Sequence, residues 1–152
     1  MQMIGINALI DIMKYQDRFT DPRLILLVLH NDDLNQVTWE MRAMEGDPKF
    51  EASQYIPDAP YAKWAEDLGL KGVRVDDPDD VAPAWEEVLG ADRPAVLEAM
   101  TDPDVPPLPP HITLEQAKAM MFAIAKRDPD TAGIVKQSIK GVADEFLPHR
   151  ER

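Results

Sequence analysis

Six consecutive aliphatics, Leu24-Ile25-Leu26-Leu27-Val28-Leu29, run without a polar break into His30-Asn31-Asp32-Asp33-Leu34-Asn35-Gln36. The run is short for a helix, and Asp21-Pro22 ahead of it disfavours helical backbone. The pattern predicts a strand buried on both faces, as in a parallel sheet. The oxygen-rich cluster then falls at the carboxyl end of that strand, where open α/β sheets place their ligands.

Around the strand the spacing of apolar residues switches between helical and extended. Met3, Ile6, Leu9, Ile10 and Met13 predict an amphipathic helix over 3–15, with Gly5 near its start. A helix opening so early has no strand before it to pack on, so the reading expects further chain upstream. Leu34 to Met44 predicts a second helix with Val37, Met41 and Met44 on one side, and Asp32 or Asp33 stands where it could cap it. Residues 47–60, with prolines at 48, 57 and 60, make a connector long enough to suggest a functional loop. A short helix over 61–68 carries Trp64, Ala65 and Leu68 on one face and stops at Gly69. Lys71–Val75 reads as a strand. Asp76-Asp77-Pro78-Asp79-Asp80 opens a helix with a cap, a first-turn proline and acids at the positive dipole end. Its expected core face is Val81, Trp85, Val88 and Leu89, and Pro83 requires that it start late or bend. Pro94 to Met100 is the third strand.

Prolines at 103, 106, 107, 109 and 110 make the next stretch a stiff extended linker. Thr113 and Gln116 form a capping-box pattern that opens a helix to Lys126. A last helix is expected over 130–147, with Ile134, Ile139, Val142 and Phe146 apolar, before Pro148 and a basic tail. Strands alternating with helices predict an α/β fold: three layers around a parallel sheet, plus a C-terminal helical extension.

Composition narrows the function. A net charge of −12 opposes a phosphate backbone, so nucleic acid is not an expected partner, and an anionic membrane surface is not either. No apolar run approaches the roughly 20 residues that span a bilayer, and the N-terminus lacks the basic start of a signal peptide. The absence of cysteine removes disulfides, thiolate metal sites and a cysteine nucleophile, and fits a cytoplasmic protein. There is no glycine-rich phosphate loop and no His-Glu-x-x-His. Ser53 and Ser138 lack the flanking glycines of a nucleophile elbow. Only His30 lies beside the polar cluster; His111 and His149 are expected at the surface. Asn31-Asp32-Asp33 can offer hard oxygen ligands to Mg²⁺ or Ca²⁺ through an amide oxygen and a main-chain carbonyl two residues on. Capping and turn formation are the other reading of the same residues.

The strand ending in Asn31, followed by Asp33-Leu34-Asn35-Gln36-Val37, resembles the second half of the thiamin-diphosphate motif, which begins with Gly-Asp-Gly and closes with an Asn after a buried strand. Met1-Gln2-Met3, Gly5-Ile6-Asn7 and Leu9-Ile10 resemble the helix that follows Gly-Asp-Gly. The likeness continues through Trp39-Glu40, Glu45-Gly46-Asp47-Pro48-Lys49-Phe50, Tyr61-Ala62, Leu68-Gly69-Leu70, Val75-Asp76-Asp77-Pro78, Arg93-Pro94 and Pro106 to Thr113. The chain is thus similar to the C-terminal part of enzymes of the acetolactate synthase and pyruvate oxidase group.

The resemblance implies an incomplete thiamin-diphosphate-binding fold. Residues 1–101 would be part of the pyrophosphate domain, 102–112 a proline-rich linker and 113–152 the helical extension. It implies that Asn31 gives its side-chain oxygen to Mg²⁺, that Asp33 gives its main-chain carbonyl, and that Leu34 and Asn35 meet the diphosphate through their main chain. No catalytic residue is assigned. Where the family often has Asn, this chain has His30. The cofactors implied are thiamin diphosphate and Mg²⁺, each needing residues upstream, with FAD left open for the parent enzyme. The implied reaction is decarboxylation of a 2-oxo acid, with transfer or oxidation of the remaining acyl unit. The implied partners are missing N-terminal domains and, in the full-length protein, further copies in a homo-oligomer. The chain alone is expected to be inactive, and its sheet is expected to expose an apolar edge and face. The competing reading is a stand-alone, non-catalytic α/β interaction domain derived from that family.

Overall fold

In the computed structural model, which describes residues 6–106 and 113–137, three parallel strands form one sheet in the order β1 (Ile25–His30), β3 (Ala95–Met100), β2 (Lys71–Val75). The central strand pairs Leu26 with Val96 on one side and Gly72 with Val96 on the other. Successive side chains alternate across a strand, so each face collects its own core. On one face, Leu26, Val28 and Val96 pack with Leu9 of α1 (Ile6–Tyr15), with Tyr61 and Ala65 of α4 (Tyr61–Asp67), and with Leu70. On the other, Ile25, Val73, Val75, Ala95 and Leu97 pack with Ala84 and Val88 of α5 (Val81–Leu89). Helices therefore lie on both sides of a parallel sheet, and the expected α/β class holds.

The chain divides into two compact units. The first joins residues up to Asn31 with Asp58–Thr101; the second joins Asp32–Pro57 with residues from Asp102 onward. The sheet, α1, α4 and α5 belong to the first. The second contains α2 (Asn35–Glu40), a π-helical turn at Met41–Glu45, α3 (Glu51–Gln54), α6 (Leu114–Ala125) and a helix over 131–137. Within it, α6 lies close to the end of the π turn: Gly46 has φ +67° and a Cβ there would sit 3.1 Å from the carbonyl oxygen of Ala119.

Several local expectations hold for the reasons given. Asp77 caps the turn Pro78–Asp80, its carboxylate accepting from Asp79 N at 2.9 Å. The α-helix proper begins only at Val81, so Pro83 falls in its first turn, where no intrahelical N–H bond is lost. Gly69 ends α4 at φ +79°, and both halves of the capping box at Thr113 and Gln116 are made.

Three expectations fail. The first strand is not buried on both faces: Leu27 is 46% and Leu29 64% exposed, because helix packing on that side reaches only Ile25. This is the exposed apolar face expected from the resemblance. The helix after Asn31 forms, but Val37 and Met44 are exposed while Thr38, Trp39, Arg42 and Ala43 are buried. In α5, Ala84 and Val88 are buried while Val81, Trp85 and Leu89 are exposed. Met3, Gly5, the proline tract beyond 106, Ile139, Val142, Phe146, His111, His149 and the basic tail lie outside the described residues. Among the described residues no helix is long and apolar enough to cross a membrane.

Candidate functional site

The first unit ends its leading strand in a buried polar network. His30 is 3% exposed and Glu98, inside the central strand, is fully buried. His30 Nδ1 lies 2.6 Å from Glu98 Oε1. Glu98 Oε1 also accepts from an Arg74 guanidinium nitrogen at 3.1 Å, and Oε2 accepts from Ala62 N at 2.8 Å. That last bond is available because residue 72 is glycine: a Cβ there would stand 2.1 Å from the Ala62 carbonyl oxygen. Arg74 also reaches Asp76 at 3.1 Å and Asp58 at 3.3 Å. Burial pushes its guanidinium down, but hydrogen bonds to Asp76 and Asp58 and the charge of Glu98 hold it above the ordinary range. His30 Nε2 is 3.6 Å from Asp58 Oδ1, and the imidazole meets the Tyr61 ring edge-on at 5.2 Å. The His30 carbonyl accepts from Thr101 N at 2.8 Å. Asn31, partly buried, is the next residue.

The second unit takes over at Asp32, which adopts the left-handed φ of +53°, a conformation Asp tolerates better than most residues. Ile56 N donates to the Asp32 carbonyl at 2.9 Å and Leu34 N to the Gln54 carbonyl at 2.8 Å. Asp33 therefore stands opposite Tyr55 as a lone antiparallel bridge, and in such a pair its own N–H and C=O face away from 54–56. Its carboxylate is turned inward: Thr38 Oγ1 donates to it at 3.0 and 3.1 Å, and Lys49 Nζ stands 3.6 Å away. α2 starts from Leu34 as its N-cap residue. Asn35 spends its amide on the Pro103 carbonyl at 2.8 Å. At Asp33 and Asn35, then, the side chains serve the unit's own packing.

Below this turn lies an ionic cluster that local pattern does not reveal. Arg42 is 1% exposed and reaches Asp128 through two bonds of 2.8 Å and Asp130 through a third of 2.8 Å. Asp128 also accepts from Lys49 N at 2.8 Å and Asp130 N at 2.9 Å. Burial works against both charges. The bonds from Asp128 and Asp130 nevertheless raise Arg42, and those from Arg42, Lys49 and Asp130 hold Asp128 below the usual carboxylate range. The guanidinium also lies over the Trp39 ring, 4.8 Å from its centroid.

Sequence reasoning singled out Asn31, Asp33, Leu34 and Asn35. It missed Glu98 and Arg74, although a glutamate inside Ala95-Val96-Leu97-Glu98-Ala99-Met100 is itself a signal, since a charge in a buried strand needs partners. The donor set of the polar cluster, an amide oxygen and a main-chain carbonyl, is the hard-oxygen kind that suits Mg²⁺.

Comparison with known proteins gives the family. Residues 1–99 match the family described as thiamine pyrophosphate enzyme, C-terminal TPP binding domain. Over 95 residues the chain is 33% identical to YdaP of Bacillus subtilis (strain 168), named as a thiamine pyrophosphate-containing protein; the match covers 62% of this chain and 16% of that one. Over 84 residues it is 33% identical to the mitochondrial acetolactate synthase catalytic subunit of Aspergillus candidus, covering 55% of this chain and 12% of the relative. The chain thus spans a small part of the length of the curated relatives it matches, and by the match over residues 1–99 it belongs to the C-terminal TPP-binding domain family of thiamine pyrophosphate enzymes.

Proposed function

We propose that this chain supplies one half of a Mg²⁺–diphosphate grip for thiamin diphosphate, within an enzyme that acts on 2-oxo acids. The observation that carries this reading is the place of Asn31, directly after the last residue of β1 at the carboxyl end of a parallel sheet, in a chain of this family. In the proposal the Asn31 amide oxygen and the Asp33 main-chain carbonyl hold the cation, and Leu34 and Asn35 approach the diphosphate by main chain. The Asp33 carboxylate accepts from Thr38 Oγ1, which supports giving the cation the main chain of this residue and not its side chain. The bound cofactor would supply the carbanion chemistry that removes CO₂ from a 2-oxo acid; this chain's residues bind and orient. The sequence holds no Gly-Asp-Gly triplet, so the remaining metal ligand comes from elsewhere, and the chain alone is expected to be inactive. Residues 1–101 make up the partial cofactor-binding domain in this proposal and 113–152 its helical extension.

The test is calorimetry of thiamin diphosphate with Mg²⁺ on the protein expressed from its complete reading frame, beside its Asn31→Ala variant. Binding that falls at least tenfold in the variant is the expected result. Equal affinity, or no binding by the parent protein, overturns the proposal.

A further inference from the structure

Glu98 has no role in the site as proposed, yet it is the most unusual residue of the sheet. It is a fully buried carboxylate on the central strand, where an aliphatic side chain would avoid the loss of hydration. A buried ion pair is weak evidence for stability, because a well-packed apolar replacement is often as stable or more so; what such groups add is a defined arrangement. Each of Glu98's contacts ends on a different element of the first unit: His30 at the end of β1, Arg74 on β2, and Ala62 in the first turn of α4.

β1 most needs such an anchor. Among the described residues it is hydrogen-bonded on one side only, to β3, and Leu27 and Leu29 on its second face are exposed. Two of the contacts of its last residue bear on its direction. The His30 carbonyl accepts from Thr101 N, and the His30 imidazole is held by Glu98 on the packed face. The main-chain bond fixes distance from β3, and the side-chain bond fixes rotation about the strand axis. Together they set the direction in which the next residue, Asn31, leaves the sheet.

We propose that Glu98 is a positioning residue for Asn31, acting through His30 to orient the end of β1 for cation binding. This rests on the reading of Asn31 as a Mg²⁺ ligand.

The experiment measures Mg²⁺ affinity by calorimetry at saturating thiamin diphosphate, and thermal stability without either ligand, in the protein from its complete reading frame. Glu98→Gln keeps the shape and removes the charge; Glu98→Asp keeps the charge and withdraws it from His30. Both are expected to weaken Mg²⁺ binding about tenfold, the scale of outer-shell partners. Val88→Ala, in the core on the α5 face, is expected to lower the melting temperature and leave Mg²⁺ affinity unchanged, which separates orientation from stability. If both Glu98 variants bind Mg²⁺ as the parent does while Asn31→Ala loses it, the positioning role is overturned and the Asn31 reading stands. If Val88→Ala weakens Mg²⁺ binding as much as they do, the effect is general destabilisation and the positioning role is also overturned. If Asn31→Ala binds normally, or the parent does not bind, the reading beneath it falls as well.

Discussion

The two units solve the problem of a buried charge in opposite ways. In the first, a carboxylate sits at the centre and the donors of three elements converge on it: His30, Arg74 and Ala62 N around Glu98. In the second, a guanidinium sits at the centre and carboxylates converge on it: Asp128 and Asp130 around Arg42. The first network is framed by a parallel ladder of main-chain bonds. Among the described residues the second has no sheet to lean on. Its Arg42–Asp128 pair joins residues 86 apart in sequence side chain to side chain, in a unit whose α6 leaves Leu114, Met121 and Phe122 exposed. A charge network added to a ladder refines an arrangement, whereas a network that replaces a ladder creates one.

The sharpest way to break this comparison is Arg42→Ala. Removing one partner of a buried pair strands the other, at a cost of about 3–5 kcal/mol, and here Asp128 would be left buried with only main-chain donors. We expect Arg42→Ala to cause the largest stability loss of any single change considered, read by urea denaturation. The pH dependence follows from the same pair. Asp128 is held below its ordinary value, so its contribution is full above the unfolded-state pKa of about 3.9 and is lost as pH falls through the folded value. Stability should therefore drop steeply below about pH 4 in the parent, and less steeply in Arg42→Ala. Equal slopes would mean that the cluster does not carry the second unit.

The extent to which the sequence was legible divides along the same line. Strand positions, the Asp77 cap, the Gly69 stop and the capping box at Thr113 depend on residues within a few positions of each other, and local pattern found them. The buried face of α2 does not. Val37, Met41 and Met44 share a helical face by spacing, but the face that is buried carries Trp39, whose Nε1 donates to the Pro103 carbonyl at 3.1 Å, and Arg42, whose partners lie far along the chain. The π-helical turn from Met41 to Glu45 also shifts the helical period in its last turn. At the candidate site, the polar end of the first strand was legible from composition, and its assignment to a cofactor came from family likeness. The support beneath it, Glu98 under His30, required the pairing of distant strands.

Two glycines sharpen the contrast at smaller cost. Gly72→Ala would drive a Cβ to 2.1 Å from the Ala62 carbonyl oxygen. A main-chain obstacle in a packed layer cannot step aside, so we expect a loss of about 1–3 kcal/mol, with the Ala62–Glu98 bond disturbed. Gly133→Ala meets the Asp104 carboxylate, with Oδ2 at 1.6 Å and Cγ at 2.4 Å, but that obstacle is a side chain that can turn aside where a main-chain carbonyl cannot. Residue 133 lies within a helix, where Ala gains roughly 1 kcal/mol over Gly, so the net change is expected to be near zero. Thermal melts of the two variants side by side would decide it; equal losses would contradict the view that the ladder is stiff and the ionic unit adaptable.

The smallest effect tests whether every charge in the second unit is supportive. Asp104 is raised above the ordinary carboxylate value, first by burial and then by the charges of Asp130 and Asp102, with Arg42 and Lys49 acting the other way. An acid whose folded pKa is raised favours the folded state only below its unfolded value of about 3.9, and that advantage disappears as pH rises through the folded value. At pH 7 the ionised Asp104 therefore opposes folding, the reverse of Asp128. Asp104→Asn keeps the shape without the charge and should raise the melting temperature modestly at neutral pH, with the gain vanishing below about pH 4. Asp128→Asn should do the opposite at neutral pH, so that two aspartates in one unit separate into a carboxylate that holds the fold together and one that the fold tolerates.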